Sequence, residues 1–123
     1  MLRHDRFVEL AREHHGALRL AVQLRRGGEI ATLRARVDEE RPALERHFDE
    51  EEGWLQQELL RLGEHALAQR LCDEHRVLRE LMDSAHDEAS LQRLGSLLHD
   101  HVRFEDRELF PCVETHWEAA DTQ

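Results

Sequence analysis

The chain has 123 residues, which suits one domain built round one core. Its 17 basic and 27 acidic residues leave a net charge of −10, a surface that repels phosphate backbones and argues against nucleic-acid binding. No apolar run reaches the roughly eighteen residues of a membrane span, and the start, Met1-Leu2-Arg3-His4-Asp5, lacks the apolar stretch of a signal peptide. A cytoplasmic protein is expected.

Tyrosine is absent, and histidine is unusually frequent at 10 residues. The two cysteines, Cys72 and Cys112, have no CxxC spacing. That fits a reducing compartment and argues against a disulfide framework or a cysteine zinc site. Leu, Ala, Glu and Arg dominate, all good helix formers, so the chain is expected to be all-α.

The apolar period predicts four helices. The first runs from Asp5 to Arg26, with Phe7, Leu10, Ala11, Leu18, Ala21 and Val22 on one side, and ends at Gly27-Gly28. The second runs from Ile30 to Leu62, with Leu33, Val37, Leu44, Phe48, Leu55, Leu59 and Leu62, and stops at Gly63. Pro42 lies inside it and is expected to kink or split it. The third runs from Glu64 to Ala85, followed by the polar break Asp83-Ser84-Ala85-His86-Asp87. The fourth runs from Ala89 to Trp117, with Leu91, Leu94, Leu97, Leu98, Val102 and Leu109, and Pro111 is expected to bend it. Short connections imply antiparallel neighbours and an up-down-up-down bundle.

Each helix carries a histidine near its middle: His15, His47, His75 and His101. Two have a glutamate four residues later, in His47-Phe48-Asp49-Glu50-Glu51 and His101-Val102-Arg103-Phe104-Glu105. Residues i and i+4 stack on one helix face, so each pair can aim a nitrogen and a carboxylate at one point. Gly63 lies twelve residues after Glu51 and twelve before His75. At about 1.5 Å per residue both side chains fall in one layer, roughly 18 Å from that turn. Asp87, twelve after His75 and fourteen before His101, keeps the fourth helix nearly level with them. Gly28 is thirteen residues after His15 but nineteen before His47, which calls for an extra tilted or non-helical piece near Glu29 to Arg34.

The pairs sit among apolar residues, and burying two carboxylates and four imidazoles without partners would cost several kcal/mol per group. A bound cation removes that cost. Neutral imidazoles with bridging carboxylates suit two transition-metal ions, with iron the leading candidate.

These stretches resemble the hemerythrin-like, or HHE cation-binding, domain family over nearly the whole chain, residues 1–123. The resemblance rests on Glu13-His14-His15-Gly16-Ala17-Leu18, His47-Phe48-Asp49-Glu50-Glu51-Glu52, Glu74-His75-Arg76-Val77-Leu78, and His101 through Glu105 to Leu109-Phe110-Pro111. Singly they are weak; in this order, one per helix, they are specific. The resemblance implies two iron ions in a carboxylate- and oxo- or hydroxo-bridged site. Its ligands would be His15, His47, Glu51, His75, His101 and Glu105, with dioxygen, nitric oxide or peroxide as small ligands.

On a simple helical wheel His14 lies nearer the apolar face than His15. The family pattern, with apolar residues three, six and seven positions after the ligand, selects His15 through Leu18, Ala21 and Val22. His14 then becomes a hydrogen-bond donor behind the ligands. On the fourth helix the i+4 match selects Glu105, while hemerythrins proper use an aspartate at the place of Asp106. Oxygen-carrying members have a third-helix His-x-x-x-His, and the position four before His75 is Leu71. That departure favours a sensor or reactive centre at least as much as an oxygen carrier.

The remaining histidines, His4, His65, His86, His99 and His116, read as surface residues. Asp49 and Glu52 read as a solvated face, and Cys72 and Trp54 as packing. No residue beyond the ligands stands out as an acid or base, so no enzyme activity is assigned, although oxidase- or peroxidase-like chemistry would need little more. The rival functions are an iron or redox sensor acting through metal-dependent folding or partner binding, and iron–sulfur cluster repair. Family members with the repair role carry a cysteine-bearing N-terminal domain, which these residues lack.

Overall fold

The structure is a computed structural model that describes residues 4–121. Four helical rods form it, and no strand occurs among the described residues. The first rod is α1 (Asp5–Arg26). The second joins α2 (Ile30–Glu50), a π-helical turn (Glu51–Leu55) and α3 (Gln56–Arg61). The third is α4 (His65–Ser84). The fourth joins α5 (Glu88–Phe104), a second π-helical turn (Glu105–Leu109) and α6 (Phe110–Asp121). Each rod packs against two others in an up-down-up-down bundle, with α1 set most closely against α5.

The turns explain where the rods stop. Gly27 adopts φ +82° and Gly28 φ +149°, backbone that side-chain-bearing residues avoid. Gly63, at φ +82°, closes a Schellman turn: its N–H donates to Leu60 O at 3.1 Å, and that of Glu64 to Leu59 O at 2.8 Å. Glu64 is also the first boundary residue of α4, so rods two and three are joined almost without a loop. The polar break predicted at Asp83–Asp87 becomes a capping box, with Ser90 N–H donating to Asp87 Oδ1 at 2.8 Å.

Pro42 neither splits nor ends its helix, because α2 continues through it with the ring exposed. The departure from α-helix comes later, at Glu51. An extra residue in the turn there, and again at Glu105, changes the helical phase next to each glutamate. No non-helical piece appears near Arg34 either; α2 starts at Ile30.

Buried apolar side chains form two clusters. One contains Leu20, Leu24, Val37, Leu44, Phe48, Leu94 and Leu98. The other contains Phe7, Leu10, Leu55, Leu59, Leu71, Phe104 and Phe110. On rods one and three the boundary falls at a histidine, His14 between Leu10 and Ala17 and His75 between Leu71 and Leu78; on rods two and four it falls just past one, between Phe48 and Leu55 after His47 and between Val102 and Phe104 after His101. A polar layer thus crosses the bundle between two apolar ones. Leu71, where a fifth histidine would stand, is fully buried in the second cluster.

Candidate metal centre

On the first rod the buried histidine is His14, which the helical wheel favours, and not His15, which the family spacing selects. The rod's buried face runs Phe7, Leu10, His14, Ala17, Leu20, Ala21, Leu24. His15 is exposed, as is Val22 at 39%, and Leu18 is only partly buried. The reason is the 3.6-residue period: a stripe through Leu10 and Ala17 passes through His14, and the next residue is turned about 100° away. The spacing used to choose His15 fits His14 as well, since Ala17, Leu20 and Ala21 follow it by three, six and seven.

His14, His47, His75, His101, Glu51 and Glu105 are all buried, both glutamates completely. Their ring nitrogens and carboxylate oxygens form two groups: His14, His47, Glu51 and Glu105, and then Glu51, His75, His101 and Glu105. In each group all donor atoms lie within 4.8 Å of one another, and the two groups share both glutamates.

The sharing is ordered. Glu51 turns Oε2 to His47 Nε2 at 3.2 Å and Oε1 to His75 Nε2 at 3.0 Å. Glu105 turns Oε1 to His14 Nε2 at 2.7 Å and to His47 Nε2 at 3.5 Å. Its Oε2 faces His101 Nε2 at 3.1 Å and His75 Nε2 at 3.9 Å. Each carboxylate therefore offers one oxygen to each histidine pair.

The other ring nitrogen of every histidine meets an acid. His47 Nδ1 lies 2.7 Å from Glu13, His101 Nδ1 2.7 Å from Glu74, and His75 Nδ1 2.6 Å from Glu52. His14 Nδ1 lies 3.2 Å from both Asp106 oxygens. An Nδ1–H donated outward leaves the Nε2 lone pair pointing inward, the form that binds a metal. Glu52 is thus not a solvated surface residue: it also accepts from Arg79 at 2.7 Å. Asp106 stands behind His14, and Glu105 takes the central place.

The sequence reading weighs Asp106 only as a rival to Glu105 and gives none of the four acids this role, although each directly adjoins a central residue: Glu13–His14, Glu74–His75, Glu51–Glu52 and Glu105–Asp106. The pattern repeats between the halves of the bundle. A Glu-His pair on rods one and three alternates with a His-x-x-x-Glu-acid run on rods two and four, and each such run opens a π-turn at its glutamate.

The donor set fits a cation. Both oxygens of Glu51, Oε2 of Glu105 and Nε2 of His75 and His101 are buried without a hydrogen-bond partner. Lone pairs of imidazole and carboxylate face one another there, which is unfavourable unless a proton or a metal lies between. The titration behaviour expresses the same demand. Burial opposes charging His14, but Asp106 and Glu105 outweigh it and hold its pKa up at about 9. Burial likewise opposes charging His47 and His101. Glu105 and Glu51 still hold His47 up at about 11, and Glu105 and Glu74 hold His101 up at about 10. Burial and the neighbouring Glu105 charge push the Glu51 carboxyl up; burial acts on Glu105 too, but His101, His14 and His47 pull it well down.

Of the other residues singled out, Trp54 packs against Phe7 and Trp117 under the Arg6 guanidinium, away from the centre. Cys72 lines a shallow surface depression with Glu52, Arg76 and Arg79. His4, His65 and His86 are exposed. Two grooves reach inward. One, of about 480 Å³, lies between α1 and α2 and is bordered by His14, His47 and His101. The other, of about 790 Å³, lies between α4 and α5 and reaches His101 beside Glu74.

A four-helix bundle with a buried layer of histidines and shared glutamates defines a cation-binding bundle protein. The model of the hemerythrin HHE cation binding domain matches residues 3–113. The chain belongs to that family. No curated protein and no solved structure matches it significantly.

Proposed function

We propose that this chain holds two iron ions in its polar layer and uses them to bind or sense dioxygen or a related small ligand, such as nitric oxide or peroxide. The observation that carries the reading is the division of each glutamate between two histidine pairs, with one oxygen toward His14 and His47 and the other toward His75 and His101. Two positions, each with two nitrogens and a share of two carboxylates, match the donor preferences of iron. His14, His47, His75 and His101 would hold the ions from the sides, and Glu51 and Glu105 would bridge them. His14 replaces His15 in this set.

Iron would supply an exchangeable coordination site and one-electron chemistry. The chain does the rest. Glu13, Asp106, Glu52 and Glu74 fix the tautomer and orientation of the four rings. The two apolar clusters exclude water above and below the layer. The groove between α1 and α2 gives a small molecule a path to His14 and His47. Leu71 supplies no donor, so the two positions have equal numbers of histidines. That symmetry supports a sensing or reactive centre over simple oxygen carriage.

The test is metal analysis of anaerobically purified protein, followed by visible spectra with oxygen and azide. Two irons per chain with oxo-to-iron bands are expected. Less than one iron per chain after reconstitution, with no such bands, overturns the reading.

A second reading, a sensor that signals through metal-dependent folding, is favoured by one observation: the six central side chains come from all four rods. Cation loss would leave like charges and orphaned lone pairs at the middle of the bundle. Iron at about a hundred times its dissociation constant should raise Tm by about 10 °C. An unchanged midpoint counts against this output.

A further inference from the structure

We propose that Glu64, Cys112 and His116 form a second and separate cation site, suited to zinc or another thiophilic divalent ion. The carboxylate, thiol and imidazole each place a donor atom within 4.8 Å of the other two. None of the three belongs to the central layer.

Their arrangement follows from the fold. Cys112 and His116 are i and i+4 on α6, so they stack on one face. Glu64 comes from the turn between rods two and three, where the Schellman hydrogen bonds fix its backbone. Its Oε1 lies 2.9 Å from His116 Nε2. All three side chains are half-buried: near enough to the surface for an ion to enter, and sheltered enough to hold it. Nothing in the cysteine spacing signals such a site, because one cysteine is joined by residues of other types from a distant turn.

The chemistry selects the ion. One thiolate, one carboxylate and one neutral imidazole carry two negative charges, which balance a divalent cation. Three protein ligands with a fourth, water-filled position suit tetrahedral zinc, and the thiolate discriminates against magnesium and calcium. Without an ion the Glu64 carboxylate sits against the His116 ring and the Cys112 thiol, which burial and the neighbouring carboxylate keep protonated. Binding would expel the thiol proton, so affinity should fall as pH falls. An ion there would also tie the end of rod four to the turn between rods two and three.

Cobalt(II) is the probe, because a thiolate ligand gives it a charge-transfer absorption in the near ultraviolet and the central layer contains no sulfur donor. Titrating cobalt into the protein as purified should develop that band and saturate it at one thiolate-bound ion per chain. Cys72→Ser should keep the band, whereas Cys112→Ser and His116→Ala should lose it. Glu64→Gln, which preserves size and turn geometry, should weaken cobalt binding at least about tenfold. No band in the unaltered protein overturns the proposal. So does a band that survives Cys112→Ser or disappears with Cys72→Ser.

Discussion

His14 and His75 occupy matching places in the two halves of the bundle. Each follows a glutamate that binds Nδ1 of a histidine on another rod, Glu13 on His47 and Glu74 on His101. Each sends its own Nδ1 to the acid that follows a central glutamate, Asp106 for His14 and Glu52 for His75. The equivalence puts His14, and not its exposed neighbour His15, in the buried layer with the other three histidines.

The first prediction separates those neighbours. His14→Ala removes one of two nitrogens from one position and should lower bound iron from two per chain to about one, while leaving the His75–His101 position filled. His15→Ala removes an exposed ring and should leave iron content and spectrum unchanged. Metal analysis of both variants decides it.

The choice also shows what could be read in the sequence. Three of the four central histidines and both glutamates stand out because His47–Glu51 and His101–Glu105 carry their own i+4 signature, and His75 is placed by height from Gly63. The first helix has no glutamate partner and two adjacent histidines. Only the stripe decides there: the helical wheel favours His14, and the family spacing read through Leu18, Ala21 and Val22 overrides it, although Ala17, Leu20 and Ala21 give His14 the same spacing and are the buried ones. The π-turns at Glu51 and Glu105 were not legible, because the extra residue in each depends on how the rods pack round the polar layer. Nor was the role of Glu52, since one residue from an acidic run looks like another until Arg79 and His75 close on it.

The acids behind the rings should matter for affinity. Glu74→Ala deletes the acceptor for His101 Nδ1, freeing the ring to rotate or to change tautomer. Metal affinity should fall about 10- to 100-fold, with the fold retained. Competition with a chelator of known affinity measures it, and Glu74→Gln, which keeps one acceptor oxygen, should lie between the two.

Packing of α1 on α5 depends on Gly95. A Cβ there would stand 2.9 Å from the Ala21 carbonyl oxygen and 2.9 Å from Leu24 Cβ. Backbone cannot yield as a flexible side-chain tip does, so the helices must separate. Gly95→Ala should destabilise the bundle by about 1–3 kcal/mol, even though alanine is the better helix former. Urea denaturation of the two proteins at equal metal loading gives the difference.

The last prediction concerns pH and lies away from the metal centre. Glu58 accepts from Arg61 at 2.6 Å and from the Trp117 indole N–H at 2.5 Å, joining α3 to α6. The Arg61 hydrogen bond, against the opposing effect of burial and aided by Trp117, lowers its pKa to about 2. An unfolded glutamate titrates near about 4.3, so the folded state holds this carboxylate ionised more tightly. The stabilisation is therefore complete above that value and is lost as pH falls through the folded pKa. With Arg61 largely exposed, the pair should contribute at most about 1 kcal/mol. Glu58→Gln should be less stable than the unaltered protein at pH 7, and the difference should shrink between about pH 4.3 and pH 2. Denaturation midpoints of both proteins across that range test it, and a difference that stays constant with pH would mean the contact stabilises through packing instead of charge.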